Sequence, residues 1–344
     1  MSATDVVAGL LFASLTAYAL LGGADFGGGF WDLLAGGARR GRQVRTLIEH
    51  SLGPVWEANH VWLIFTVVLL WTCFPSGFAA VASTSYIPLT VAALGIIGRG
   101  AGFAFRKTST TLGTQRLFGA GFAICSVLTP FFLGAVAGGI ASGRIPPGIT
   151  EGDLVTSWWN PTSVATGALA VGVGAYLAAV FLTRDAETAA PDLVERLRRR
   201  ALGAGAVVGV LAIVGLLVVA TDAPALADRL TRPVPAVLVV VSVLAGLASL
   251  ALLYVRRYLA VRVTAGLAAG AVLWAWGAAQ YPLLLPPATT VDAAAAHPSV
   301  LYATIGASLV GLAILAPALW WLFRLSHQKG GEASATGRGV ARGG

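Results

Sequence analysis

The sequence predicts an all-α polytopic membrane protein with nine transmembrane helices. Of its residues 57% are hydrophobic and only 11% are charged, which excludes an ordinary soluble domain. A helix that crosses a hydrocarbon core of about 30 Å needs roughly 20 mostly apolar residues. Nine apolar runs meet or approach that length, and they cover residues 6–34, 47–74, 77–105, 117–141, 162–182, 201–220, 234–254, 263–281 and 299–323.

Basic residues define which side of the membrane each gap faces. Most of the 23 Lys and Arg residues fall in alternate gaps, beginning with the cluster at 39–45. The opposite gaps hold only Arg144, Arg229 and Arg232. Because cytoplasmic loops carry the Lys/Arg excess, we predict an outside amino terminus and a cytoplasmic carboxy terminus. Topology also accounts for the net charge of +8, so we predict no nucleic-acid partner.

The runs divide the chain into four regions and a tail. Residues 1–141 hold the first four runs, and 142–160 form an outer connection whose Trp158 and Trp159 are expected at the membrane interface. Residues 161–285 hold the next four runs, and the ninth helix occupies 297–324. Residues 325–344 are mostly Gly, Ser, Ala and Arg, which predicts a disordered cytoplasmic tail. No gap could hold a soluble catalytic domain, so any chemistry uses groups within the membrane or on a partner.

Glycines are frequent inside the first run, at positions 22, 23, 27, 28 and 29. Small residues let membrane helices approach closely, because packing drives their association. A phosphate-binding loop is the competing interpretation. We reject it because apolar residues flank the segment on both sides, with Phe30 and Trp31 continuing the run.

Ionisable side chains concentrate in the first three helices. Asp25, Glu57, His60 and Arg99 lie within the runs, while Asp32, Glu49 and His50 are nearer the inner boundary. Such residues are costly inside a membrane and by default indicate function. At 1.5 Å per residue, Asp25 lies about 14 Å from the inner end of helix one and Arg99 roughly 10 Å from that of helix three. We therefore predict that both carboxylates and the guanidinium occupy one layer.

Two interpretations of this charged layer remain open. One is a buried ion-pair network that holds three helices together. The other is a hydrated proton route from the cytoplasm, in which His50, Glu57 and His60 form a ladder along helix two. Pro54 near the start of that helix is tolerated, because the early N–H groups lack intrahelical partners.

Redox centres are not expected on this chain. It contains four histidines, of which only His60 is deeply placed, and Met1 is its sole methionine, so it cannot ligate several haems. No residues are spaced as metal ligands, and we predict no metal site. Cys73 and Cys125 are interpreted as packing residues. The residues alone favour a partner subunit or a transporter.

Three segments of the first half resemble subunit II of cytochrome bd-type quinol oxidases. The order and spacing agree over residues 5–325, with the second segment the most specific. The segments are Gly22-Gly23-Ala24-Asp25-Phe26-Gly27; Gly53-Pro54-Val55-Trp56-Glu57-Ala58-Asn59-His60-Val61-Trp62-Leu63-Ile64; and Tyr86-Ile87-Pro88-Leu89 with Arg99-Gly100-Ala101 and Phe103-Ala104-Phe105-Arg106.

The resemblance implies two four-helix bundles, at 1–141 and 161–285, plus one peripheral helix, in the bacterial cytoplasmic membrane. It implies a partner, subunit I, that carries two b-type haems, haem d and a quinol site facing outside, where O₂ is reduced to water. Subunit II of that family binds no haem and contributes to cytoplasmic proton uptake. Some members bind a structural quinone or small accessory subunits. Asp25, Glu57 and Arg99 match the acidic and arginine positions of the family motifs.

The sequence departs from that family at two places. Many members have a second acid three positions before the one matched by Asp25, and here Gly22 stands there. His60 occupies a position that varies among members of that family.

A secondary transporter is disfavoured, because polar residues are confined to one half of the chain and the other half lacks matching helix breaks. A structural assembly factor, in which the charges only fasten helices, is the third hypothesis.

Overall fold

The structure is a computed structural model, and it describes residues 2–37, 41–52, 56–315, 317, 318 and 321, without the side chains of residues 52 and 56–58. The described chain is almost entirely helical. Its helices are α1 Ala3–Ala17, α2 Gly23–Leu33, α3 Arg42–Leu52, α4 Trp56–Cys73, α5 Pro75–Thr84, α6 Tyr86–Thr108, α7 Leu112–Ala141, α8 Pro161–Ala189, α9 Val194–Asp222, α10 Pro224–Leu230, α11 Pro233–Tyr254, α12 Tyr258–Gln280, α13 Val291–Ala294 and α14 Pro298–Leu315.

The first span consists of two α-helices joined by a π-helical turn at Tyr18–Gly22. It begins with a capping box, in which the Ser2 hydroxyl accepts from the Asp5 N–H at 3.1 Å and the Ser2 N–H donates to the Asp5 carboxylate at 2.8 Å. Helix α2 follows the π-turn directly, and most of its residues are buried. The turn therefore lies immediately before the segment that contains Asp25.

Eight described helices are long and apolar enough to cross a membrane. A bent pair, Asn59–Cys73 with Pro75–Thr84, would bring the total to nine if it counts as one span. Seven predicted runs agree with single spans apart from shifts of their ends. The ninth predicted run, 299–323, corresponds to α14 as far as Leu315. The predicted tail at 325–344 lies outside the described residues.

The predicted third run, 77–105, is wrong as one continuous helix. Within this run α5 ends at Thr84 and α6 begins at Tyr86, with a break at Ser85. A bend of 118° between Asn59–Cys73 and α5 coincides with the predicted gap between the second and third runs. Pro75 at the first turn of α5 has no N–H to donate, and it disfavours a helical conformation of Phe74 before it. Hydropathy did not register the break at Ser85, because α5 and α6 are both apolar.

The predicted second run, 47–74, is described in two parts. Helix α3 is described as far as Leu52 and α4 from Trp56, and residues 53–55 lie outside the described part. Helix α3 buries one face, with Val44, Leu47 and Ile48, against α2 and α8. The prediction that Glu57 shares a layer with Asp25 and Arg99 assumed one straight helix from residue 47, and it stays a prediction.

Helices α2 and α8 are in direct backbone contact. A Cβ added at Gly27 would overlap the carbonyl oxygen of Gly174 and the side chain of Ala178. The Trp31 indole N–H donates to the Ala175 carbonyl at 2.8 Å, which fixes the two helices lengthwise. The prediction that glycines of the first run permit close helix packing is confirmed here. Helix α2 also packs against α7, so it lies between the two halves of the chain.

The predicted outer connection is fastened by one ion pair. Arg144 donates two hydrogen bonds to the Asp222 carboxylate, at 2.6 and 2.9 Å. The Thr162 hydroxyl and N–H donate to the same carboxylate at 2.6 and 3.1 Å. Two helices and the connecting loop thus meet at one side chain. Trp159 remains exposed, as a residue in contact with the membrane interface would be.

Orientation can be tested with a topology reporter. With nine predicted crossings and an amino terminus predicted to be outside, a cytoplasm-active reporter fused after Gly344 is expected to be active, and one that requires export is expected to be silent. Fusion of both reporters in the connection 142–160 should give the reverse result. An exported signal from the carboxy-terminal fusion would contradict the assignment of basic gaps to the cytoplasm.

Candidate functional site

Asp25 lies buried in α2, with its side chain 4% exposed. The Asn59 amide of α4 donates a short hydrogen bond to its Oδ2 and contacts the Leu21 carbonyl at 3.5 Å. A carboxylate inside a membrane is costly unless it has hydrogen-bond donors. Asn59 is part of the second motif segment, and the structure gives it the role of donor to Asp25.

Arg99 of α6 reaches the same place, with 2% of its surface exposed. Its guanidinium donates to the main-chain oxygen of Asp25 at 3.0 Å and to the Ser126 hydroxyl of α7 at 3.2 Å. It also lies over the rings of Phe26 and Phe122, at 5.0 and 5.2 Å from their centroids. Aromatic faces and neutral oxygens can stabilise a buried cation. The structure therefore brings Asp25 and Arg99 together, as predicted, through the backbone of α2.

Tyr18 and His60 form the opposite wall of the site. The Tyr18 hydroxyl lies 3.5 Å from His60 Nδ1, and Phe26 makes edge contacts with both rings. A Cβ added at Gly22 would lie 2.8 Å from the Tyr18 ring. The tyrosine ring thus occupies the space beside Gly22, where the sequence departs from the family that it resembles.

The other predicted residues are placed less directly. Glu57 lies on α4, one turn before His60, and its side chain is outside the described part of the chain. His50 is exposed on α3, and His60 lies on α4. Residues 53–55 between these two helices lie outside the described part of the chain, so the predicted ladder of His50, Glu57 and His60 stays a prediction.

A second charged cluster lies at the inner end of α2, and we call it the inner cluster. Asp32, only 4% exposed, pairs with Arg45 of α3 at 2.6 Å and closely with Arg106 of α6. Arg106 also reaches Glu49 of α3 at 3.0 Å. Arg45 donates in addition to the Gly36 carbonyl at 2.6 Å. These four side chains link three helices at the predicted cytoplasmic boundary.

Sequence reasoning singled out Asp32 and Glu49 but not the arginines that bind them, and it gave no role to Ser126. One signal could have found Arg106. Asp25 and Asp32 are seven residues apart on one helix, and Arg99 and Arg106 are seven apart on another. Seven residues are close to two helical turns, so each pair lies on one face. The matching spacing indicates two layers of contact between the same helices.

The site contains side chains that can carry a proton. The Tyr18 hydroxyl lies 3.5 Å from His60 Nδ1, and the Asp25 carboxyl accepts from Asn59, which is on the same helix as His60. In the part of the chain that is described, no group of three or more His, Cys, Asp or Glu residues could hold a metal ion. The fold and site therefore define a polytopic helical membrane protein with a buried cluster of ionisable and polar side chains in its described part.

The chain belongs to a known family: residues 3–326 match the model of cytochrome bd terminal oxidase subunit II. This confirms the resemblance noted for the three motif segments. The family model spans all of the described helices. The first half, with its motifs, and the second half, which resembled the family only in hydropathy and length, are both included.

Individual relatives agree with that assignment. The chain is 32% identical over 116 residues to cytochrome bd ubiquinol oxidase subunit 2 of Bacillus subtilis, covering 34% of this chain and 33% of that protein. It is 25% identical over 166 residues to cytochrome bd-I ubiquinol oxidase subunit 2 of Escherichia coli K12, covering 46% and 42%. The matched segments thus span less than half of these relatives.

A solved structure supports the fold over nearly the whole chain. A chain of the bd oxidase from Geobacillus thermodenitrificans superposes with a TM-score of 0.80, covering 94% of this chain and 98% of that one, at 24% identity. At this level of identity the match supports the fold alone. The all-helical architecture is therefore confirmed, while site residues and partners require separate arguments.

Proposed function

We propose that this chain is subunit II of a cytochrome bd-type quinol:O₂ oxidoreductase in the bacterial cytoplasmic membrane. It packs against a haem-bearing subunit I and contributes to proton uptake from the cytoplasm for the reduction of O₂ to water. The observation that carries this proposal is a buried carboxylate, Asp25, surrounded by groups from α4, α6 and α7, in a chain of this family.

The proton role is supported by the surroundings of Asp25. Its carboxylate accepts from Asn59, a neutral amide, and Arg99 binds the backbone beside it. The carboxylate is therefore not held in a direct ion pair with Arg99, and protonating it would break no such bridge. Tyr18 and His60 extend the polar region toward α4. Glu57, one turn before His60, is the second proposed carrier, and His50 is the proposed residue nearest the cytoplasm.

The proposed interface with subunit I lies along α4 and α6. Both helices supply a partner to Asp25, and both expose apolar stripes. Helix α4 exposes Ile64 and Trp71, and helix α6 exposes Leu94 and Ile97. Exposed apolar side chains on a membrane helix contact a partner or lipid. Because these stripes border the site, a partner placed there would receive protons over a short path.

The two b-type haems, haem d and the quinol site would reside on subunit I. His60, the histidine nearest the site, is half-buried and already contacts the rings of Tyr18 and Phe26. This environment suits a polar contact better than a haem ligand. Quinol and O₂ would therefore reach this chain only through the complex.

Co-purification tests whether the chain is a subunit of a haem-bearing oxidase. An affinity-tagged chain, extracted in mild detergent from membranes, should bring down a second polypeptide with visible haem absorption and quinol-driven oxygen consumption. The same tag on an unrelated polytopic protein is the control. Recovery of the chain alone, without haem, would contradict a role as an oxidase subunit.

A purely structural subunit is the second candidate function. The inner cluster favours it, because Asp32, Arg45, Glu49 and Arg106 fasten three helices without any need for proton transfer. The two candidates differ in what happens to turnover when the complex assembles normally but Asp25 cannot exchange a proton.

A further inference from the structure

The inner cluster repeats the contacts of Asp25 two turns further inward. On α2, Asp25 and Asp32 are separated by seven residues, which is about 10.5 Å along a helix. On α6, Arg99 and Arg106 have the same separation. Arg99 binds the main chain of Asp25, and Arg106 pairs with Asp32. Helices α2 and α6 are thus joined by an arginine at two levels.

Helix α7 provides matching positions at both levels. Arg99 donates to Ser126, and the Arg106 side chain runs over Gly119, where an added Cβ would lie 3.7 Å from its Cδ. Ser126 and Gly119 are again seven residues apart, in the order expected for an antiparallel helix. Helices α2 and α6 each pack against α7. The two arginines therefore cross the same surface of α7 to reach α2.

We propose that Asp32 and Arg106 are positioning residues for Asp25. The inner cluster fixes the height of α6 relative to α2, and this places Arg99 on the Asp25 backbone two turns away. Arg45 and Glu49 complete the cluster from α3, so that Asp32 and Arg106 each have two charged partners. This inference rests on the proposed function, in which Asp25 takes up protons.

Physical chemistry favours positioning over simple fastening. Taking charges out of water offsets much of their mutual attraction, so a partly buried ion pair is a poor source of stability alone. An arginine with two carboxylate partners does fix direction and distance, because its planar fork donates in set directions. Arg106 makes this kind of contact, with Asp32 on one helix and Glu49 on another.

The test uses the assembled oxidase complex with Arg106→Gln and Arg106→Lys. We expect Arg106→Gln to retain haem and partner but to lower turnover per haem about tenfold, because a displacement of the order of 1 Å can slow a reaction that strongly. The solvent deuterium isotope effect on turnover should rise, since delivery of protons to Asp25 becomes slower. Arg106→Lys, which keeps the charge and one contact, should restore part of the rate.

Arg262→Gln is the matched control. Arg262 of α12 pairs with Asp185 of α8 and donates to the Phe181 carbonyl at 2.9 Å, so this variant also removes an interhelical arginine–aspartate bridge. It lies far from Asp25 in sequence and outside the inner cluster. We expect its turnover per haem and its isotope effect to equal those of the unaltered complex.

A double-mutant cycle completes the test. If Asp32 and Arg106 act as one unit, adding Arg106→Gln to Asp32→Asn should change turnover little further. Arg106→Gln with unchanged turnover and isotope effect would overturn the positioning role. The positioning role would also be overturned if Arg106→Gln lost activity only in proportion to its loss of assembled complex and Arg106→Lys lost as much. Normal turnover of Asp25→Asn would instead remove the proposed proton role itself.

Discussion

Replacing Asp25 with asparagine is expected to lower quinol-driven oxygen consumption per assembled complex by about 100-fold or more, the usual cost of losing a positioned proton-transfer group. Asparagine has the same shape and can still accept from Asn59 through its amide oxygen. Arg99 binds the main chain of residue 25, so that contact also survives. The variant therefore removes proton exchange and leaves packing intact.

Measuring haem content together with oxygen consumption distinguishes a loss of proton transfer from a loss of assembled complex. Asp25→Asn should retain its haems and partner, and Glu57→Gln is the companion variant for the second proposed carrier. Asp5→Asn is the control, an isosteric change near the start of the same span, where Asp5 contacts Ser2 and Tyr281. Normal turnover by an assembled double variant at residues 25 and 57 would leave only the structural role.

Gly27→Ala is expected to prevent assembly or to destabilise the chain by about 3 kcal/mol or more, at the upper end of overpacking effects. Its Cβ would overlap backbone atoms of Gly174, and a backbone cannot move aside as a side chain can. Helices α2 and α8 would have to separate, which would also disturb the hydrogen bond from Trp31 to Ala175.

Gly23→Ala provides a matched control at the same interface. A Cβ there would lie 3.9 Å from the Gly174 Cα, an ordinary van der Waals contact. We expect Gly23→Ala to be within about 1 kcal/mol of the unaltered chain, since alanine is the better helix former. The yield of haem-bearing complex and its thermal midpoint are the measurements. Equal yields for both variants would contradict the close approach of α2 and α8.

Much of the fold could be predicted because hydropathy and charge report directly on membrane crossing. The predicted runs locate nearly all spans, and the glycines at 22–29 correctly indicate close packing. The break at Ser85 escaped prediction, because one residue separates α5 from α6 and apolar residues lie on both sides of it. The bend before α5 falls at the predicted gap between the second and third runs, although hydropathy does not give its angle. The ladder from His50 to His60 stays a prediction, because residues 53–55 lie outside the described part of the chain.

The charged site could be predicted in outline but not in its contacts. Depth estimates placed Asp25 and Arg99 in one layer, and the structure brings them together. A one-dimensional pattern does not reveal that the contact uses the backbone of Asp25, because this depends on how far α6 lies from α2 across α7. The contacts of Arg106 depend in the same way on where α3 lies relative to α6.

The π-turn at Tyr18–Gly22 has a consequence for the direction in which Asp25 points. A π-turn acts as a one-residue insertion in a regular helix, and one residue corresponds to about 100° of rotation about the axis. The insertion lets the first half of the span keep its phase against α4 while the second half turns Asp25 inward. A chain shortened by one residue at this turn would form an unbroken rod and aim that carboxylate roughly a quarter-turn away from Asn59.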